Sequence, residues 1–228
     1  MLNDEDRRLA MKYAPRLFFD QNEPFFPVRL GITVMRQEEE SPSFRRRLAV
    51  KHPDVQFVVE YAIYYDYDIQ HLYDLEHVWV YIGRNGEVVD AEASFHGKFL
   101  KALLRGGSNL SGTRVDLYVQ PGKHALAPFP EVFELLPGFA SSTQDGAGAE
   151  GLIYGDFFRD ILASDEETDR LVHRYLQTCR FTPSLSYSIW EYADREELFV
   201  SWIQLFTEIP ERIRQELVRL QLLLPPRH

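Results

Sequence analysis

Four runs, at residues 55–67, 76–82, 87–95 and 115–120, are crowded with Val, Ile, Tyr, Phe and Trp. Such side chains suit a pleated, half-buried surface and lose rotamer freedom in a helix, so the middle of the chain reads as β-structure. Arg84-Asn85-Gly86 separates the second run from the third and marks a hairpin. A three-residue loop with Gly86 in the left-handed region is the register expected here, with His96 opposite Asp74 and Ser94 opposite Glu76. A two-residue turn would instead match Val78, Val80 and Ile82 with Ala93, Ala91 and Val89.

The flanks read differently. Residues 4–13 form a short helix with Asn3 or Asp4 as N-cap, acids in the first turn and Pro15 as the stop. Residues 16–34 are extended, and Pro24 and Pro27 suggest a strand-like wrap rather than a sheet centre. Residues 35–47 read as a charged loop. Beyond Pro128, residues 156–163, 166–178, 189–205 and 210–224 carry apolar positions at helical spacing, most clearly Ile213, Leu217, Leu220 and Leu224. The expected class is therefore α+β: an antiparallel β-sandwich with a short N-terminal helix and a helical C-terminal region. The expected division is residues 1–128 for the sandwich and 129–228 for a mainly helical extension packed on it as one compact unit.

Composition narrows the function. Lys plus Arg number 25 against 35 Asp plus Glu, a formal charge of −10. That balance opposes nucleic-acid binding, which draws affinity from a basic surface. No stretch is long and apolar enough for an integral membrane segment. The single cysteine, Cys179, allows no internal disulfide and reads as a small core residue. With a start that lacks the layout of a secretory signal, a cytoplasmic address is expected. Gly-x-Ser-x-Gly, phosphate-loop and dinucleotide fingerprints are all absent. Arg45-Arg46-Arg47 is either a solvated run or an anion contact.

The chemistry concentrates in residues 64–77, where four acids and two histidines interrupt apolar text. In an extended segment Asp74 and Glu76 leave by one face, while Leu75, His77 and Trp79 leave by the other, which makes His77 a core histidine. His71 joins the carboxylates only if residues 71–73 depart from strand geometry, and Asp68 ends the preceding strand. Three carboxylates and one imidazole suit Mg²⁺, Ca²⁺ or Mn²⁺, with Zn²⁺ or Fe²⁺ still possible. A hydrogen-bonded rim without any ion would carry the same residues.

At these residues the chain resembles a known family. His71-Leu-Tyr-Asp74-Leu-Glu76-His77 is similar to the Gly-His-Arg-His-Asp-Trp-Glu heptad of the necrosis- and ethylene-inducing-peptide-like proteins. Residues 61–68, Ser94-Phe-His96-Gly97 and Gly122-Lys-His124-Ala125 resemble further family elements in the same order. The opening at residues 14–27 resembles that of the vacuolar-protein-sorting family number sixty-two; the similarity spans residues 13–128. The resemblance implies a β-sandwich with a divalent cation held by Asp68, His71, Asp74 and Glu76, and with His96 and His124 lining the same cavity. Tyr73 and Leu75 stand where the heptad has His and Trp, and the cysteine pair is missing. What carries over is the cation cavity, not cytolysis. Three functions follow: a binding module for a small polar ligand bearing sugar or phosphate, a metal-dependent hydrolase with His96 or His124 as acid or base, or a structural ion beside a protein-interaction surface.

Overall fold

The computed structural model describes residues 2–48, 54–154 and 156–224. Helix α1 (Asp4–Tyr13) opens the chain, capped by Asn3, whose side chain accepts from the Asp6 N–H at 2.8 Å. Strands β1 (Arg16–Asp20) and β2 (Arg29–Met35) follow, then a ribbon of β3 (Glu39–Glu40) and β4 (Arg47–Leu48). The long strands β5 (Val55–Tyr67) and β6 (His71–Gly83) form a hairpin, extended by β7 (Val88–Phe95) and β8 (Lys98–Lys101). After β9 (Leu110–Ser111), β10 (Arg114–Val119) and β11 (Leu126–Ala127) come the short helices α2 (Glu131–Glu134) and α3 (Phe139–Ser142). The remainder holds β12 (Gly151–Leu152), α4 (Glu166–Leu176), β13 (Tyr187–Ile189), β14 (Phe199–Ser201) and α5 (Trp202–Leu223).

This is an α+β fold of two mostly antiparallel sheets. The larger runs β14-β2-β5-β6-β7-β8, with β12 paired to β6; the smaller runs β11-β10-β1-β13, with β9 paired to β10. Leu17, Phe19, Val115 and Leu117 from the smaller sheet bury against Tyr61, Ile63, Val78 and Val80 of the larger one. Each such side chain contributes about 1.5–3 kcal/mol of apolar burial. The opposite face of the larger sheet is covered by α4 and α5, through Tyr64, Leu72, Val172, Leu205, Ile209 and Ile213. Helix α5 crosses β2 at Gly31, where a Cβ would meet Leu205 at 2.7 Å.

Four expectations are corrected. Both β1 and β2 lie inside their sheets, because Pro24 and Pro27 fall in the connection between them rather than in a ladder. Residues 189–205 are not one helix: β13 pairs β1 and β14 pairs β2, and α5 begins at Trp202. Open sheet edges claimed those segments, overriding local periodicity. Helix α5 also runs through Pro210, which is buried within it; one lost hydrogen bond there is offset by packing. Of residues 156–163, Asp156–Phe158 form a single 3-10 turn.

Candidate metal centre

The loop between β5 and β6 starts the site. Asp68 Oδ1 accepts from the Gln70 N–H at 2.6 Å, and its own N–H donates to the His71 carbonyl at 3.0 Å, a turn that aspartate is suited to build. The buried Ile69 donates its N–H to the Gly122 carbonyl at 2.8 Å, tying this tip to the β10–β11 loop that carries His124. Gly122 sits at φ +71, and a Cβ there would lie 2.8 Å from Ile69, so the close approach needs glycine.

His71 reaches the carboxylate face because strand geometry breaks where it must. Tyr73 has φ +52. Leu72 and Tyr73, although successive, both pack in the helix-side core, leaving His71 and Asp74 to face the other way. The His71 Nδ1 is 2.7 Å from the Tyr73 carbonyl, and its Nε2 stands 3.8 Å from Asp68 Oδ2.

The expected hairpin register does not form. Val78 pairs with Ala93, Val80 with Ala91 and Tyr81 with Asp90, and then Ile82 pairs with Val88. A bulge drops Val89 from the ladder, which sends Val88 to the inter-sheet core beside Ala91 and Ala93, while Val89 packs on the far side. Burying both apolar sets decides the register. His96 therefore lies outside the β6–β7 ladder, whose last pair is Val78 with Ala93. Past that pair the His77 N–H donates to Ser94 Oγ at 2.6 Å, and Ser94 in turn donates to Glu76. The opening leaves a cavity of about 210 Å³ lined by Asp68, His71, Asp74, Glu76, His96 and Lys123. Alongside it a second hollow of about 520 Å³, lined by Gln120, Phe139 and Glu150 among others, shares His96 and Lys123 with the first.

His124 is fully buried at φ +57, and its Nδ1 is 3.2 Å from Asp74 Oδ2. Its Nε2 lies 3.4 Å from Glu23 Oε1, and Glu23 accepts from the Gly122 N–H at 2.7 Å. Among the described residues, Asp68, Asp74 and His124 each bring one ligand atom within 4.8 Å of the others. Glu76 and His71 border this triad rather than belonging to it. His96 is exposed, its Nε2 2.8 Å from Gln120 Oε1. His77 is buried and stacked on Trp79, as its strand position predicts. Arg46, from the arginine run, pairs with Glu92, its guanidinium carbon 4.1 Å from the Trp79 ring and 3.8 Å from the Phe99 ring.

Glu23 and Lys123 had no signal in the sequence. Glu23 belongs to the proline-punctuated connection and lies 101 positions before His124, while Lys123 reads as a turn residue. Lys123 Nζ is 3.0 Å from Asp68 Oδ1.

The electrostatics follow from burial and from these pairings. Burial works against the Asp74 carboxylate, yet the His124 hydrogen bond and the charges of His124, His71 and Lys123 outweigh it and hold its pKa below the ordinary value. For Glu76, burial and then the Asp74 charge push the carboxyl up to about 8. Burial also opposes charge on His124, but its bonds and charges with Asp74 and Glu23 prevail and raise it to about 10. Burial takes His77 down to about 3, so that ring is neutral. Around one point, then, stand Asp68, Asp74, Glu76 and Glu23, answered by Lys123 and an imidazolium. This donor set fits a hard divalent cation: two carboxylates and one imidazole converge, and a third carboxyl beside them is pushed toward protonation by burial and then by the Asp74 charge.

Fold and site together define a two-sheet α+β protein with an acidic, histidine-bearing cavity where the sheets meet. No family model and no curated protein matches the chain. Solved structures of the necrosis- and ethylene-inducing toxin fold are similar to it. One is Necrosis and Ethylene inducing Protein 2 from the causal agent of cocoa's Witches Broom disease, at 23% identity and TM-score 0.36. That match covers 52% of this chain and 66% of the other, just under two thirds of its length. Two more are NLPPya in complex with glucosamine (17% identity, TM-score 0.38) and with mannosamine (18%, 0.38). Each of these covers 55% of this chain and 67% of the other. Among the described residues no helix is long and apolar enough to cross a membrane.

Proposed function

We propose that this chain is a divalent-cation-binding β-sandwich protein that holds a small polar ligand, sugar- or phosphate-containing, at the cavity lip. The convergence of Asp68, Asp74 and His124 within 4.8 Å carries the reading. Asp68, Asp74 and the Nδ1 of His124, once the ion has displaced the proton His124 shares with Asp74 in the cation-free chain, would ligate a Ca²⁺, Mg²⁺ or Mn²⁺ ion, and Glu76 and His71 would hold its water. Bound there, such an ion supplies open coordination positions to an oxygen ligand.

Binding is favoured over hydrolysis by the state of the histidines. His124 is fully buried, both ring nitrogens taken up by Asp74, Glu23 or the ion itself, so it is not free to act as a general base. In the hydrolytic alternative His96 alone would face a bound water, steadied by Gln120. A structural ion is the third reading, and it predicts a loss of stability without any loss of ligand. The motif order at Asp68, His71, Asp74, Glu76, His96 and His124 supports kinship with the necrosis-inducing superfamily and with the sorting family number sixty-two. On the single cysteine, the protein belongs to the cytoplasm, and residues 1–128 and 129–228 act as one unit.

Elemental analysis and calorimetric titration with calcium, magnesium and manganese test this. One cation is expected per chain, lost in an Asp68→Asn, Asp74→Asn double variant that keeps its circular dichroism. Absence of any cation at neutral pH would sink the reading.

A further inference from the structure

Lys123 occupies a peculiar place in this site. Its ammonium is 3.0 Å from Asp68 Oδ1, with only 13% of the side chain exposed, so it stands beside the carboxylate that a cation would need. A cation drawn in by Asp68, Asp74 and His124 and an ammonium on Asp68 are like charges sharing one carboxylate, in surroundings that screen poorly. Both do not rest there comfortably. Lysine has a flexible four-carbon stem and a compact charge, which suits it to move. The same residue lines the adjoining hollow of about 520 Å³ together with His96 and Gln120. Among the residues lining that hollow, Lys123 is the only Lys or Arg. Glu150, also on its wall, is exposed, its Oε2 3.9 Å from His71 Nε2.

We propose that Lys123 is a resident counter-ion that leaves Asp68 when a divalent cation arrives and turns into the adjoining hollow to meet a phosphate-bearing ligand. The proposal rests on the cation reading above and adds a regulation to it. Without the cation, the ammonium is engaged by Asp68 at the border of the hollow and is not free to meet an anion there. With the cation, the displaced ammonium and the open metal positions present positive charge to one anion from two sides. Cation and phosphate binding are then coupled, and the coupling is reciprocal.

The test is calorimetric titration of calcium into the full chain and into Lys123→Met, each alone and with methyl phosphate. Removing the competing ammonium is expected to tighten calcium binding by about tenfold or more. Methyl phosphate is expected to tighten calcium binding to the wild-type chain, with calcium tightening methyl phosphate by the same factor, and this factor is expected to shrink severalfold in Lys123→Met, where only the metal positions remain to meet the anion. Equal or weaker calcium binding by Lys123→Met overturns the proposal, as does phosphate coupling that the substitution leaves undiminished. If neither chain binds calcium, the cation reading itself falls and this one with it, a result distinct from equal binding. Vesicles of phosphatidylcholine with phosphatidic acid form a parallel arm. Lys123-dependent coupling with methyl phosphate assigns a soluble phosphate, and coupling confined to vesicles assigns a lipid phosphate. Unchanged circular dichroism of Lys123→Met verifies its fold, and a lowered melting temperature without the cation is expected from the loss of the Asp68 partner.

Discussion

Tyr65 and His124 stack face to face, ring centroids 3.9 Å apart and planes 5° from parallel. Tyr65 lies opposite Asp74 in the β5–β6 ladder, and His124 approaches the same carboxylate from the other sheet. The aromatic excess of the strands thus includes a ring that fixes the plane of the candidate ligand.

The Tyr65 hydroxyl is buried without a hydrogen-bond partner among the described residues. Tyr65→Phe is therefore expected to hold or slightly raise stability, since it deletes an unsatisfied polar group. Tyr65→Ala, which removes the stacked ring, is expected to cost about 3–5 kcal/mol. Urea unfolding of the two variants checks the contrast, and equal losses would refute it.

Stability of the cation-free chain should fall as pH rises from about 5 toward 10. Glu76 in the fold is raised to about 8 from 4.5, and His124 to about 10 from 6.5. Groups raised on folding contribute stability that is fully present below their unfolded pKa and lost as pH passes through the folded one. Melting temperature against pH is the measurement. Glu76→Gln should flatten the stretch between about pH 4.5 and 8, and an unchanged slope would remove Glu76 as its cause.

Glu23 reaches across the molecule to His124 and to the Gly122 N–H. Glu23→Ala is expected to cost about 1–3 kcal/mol by leaving the buried amide and imidazolium short of a partner. The His124 pKa should drop, because one of the two carboxylates that raise it is gone. Imidazole NMR titration reads this directly, and a stationary His124 would contradict the assignment.

Gly122→Ala combines a strained left-handed position with a Cβ 2.8 Å from Ile69. A loss of about 1–3 kcal/mol is expected. Cation affinity should fall with it, because the β10–β11 loop would part from the Asp68 turn. Calorimetry on the folded variant tests the second effect, and full affinity would separate the loop from the site.

Much of the architecture was legible in local pattern. The boundaries of β5, the Asn3-capped helix and the α5 stripe through Ile213, Leu217 and Leu220 depend on near neighbours, and near neighbours are what a sequence displays. Strand alternation likewise placed Asp74 and Glu76 together and sent His77 into the core. It also set the condition for His71, a break in residues 71–73, which Tyr73 meets with φ +52.

Other features were decided only when the sheets closed on each other. The β6–β7 register yielded to the need to bury Val78, Val80 and Val88 with Ala91 and Ala93, so the bulge at Val89 answers to the core rather than to the turn. The edge strands β13 and β14 exist because sheet edges offered them partners. Residues that build the proposed site came from afar: Glu23, behind His124, from the β1–β2 connection, Lys123 and His124 from the β10–β11 loop, and Asp68 from a hairpin tip. By itself the sequence determined which residues could serve a cation, through charge and strand periodicity. Tertiary structure decided which of them meet, because burial of apolar surface on both sides of a sheet sets the distances between charges far apart in the chain.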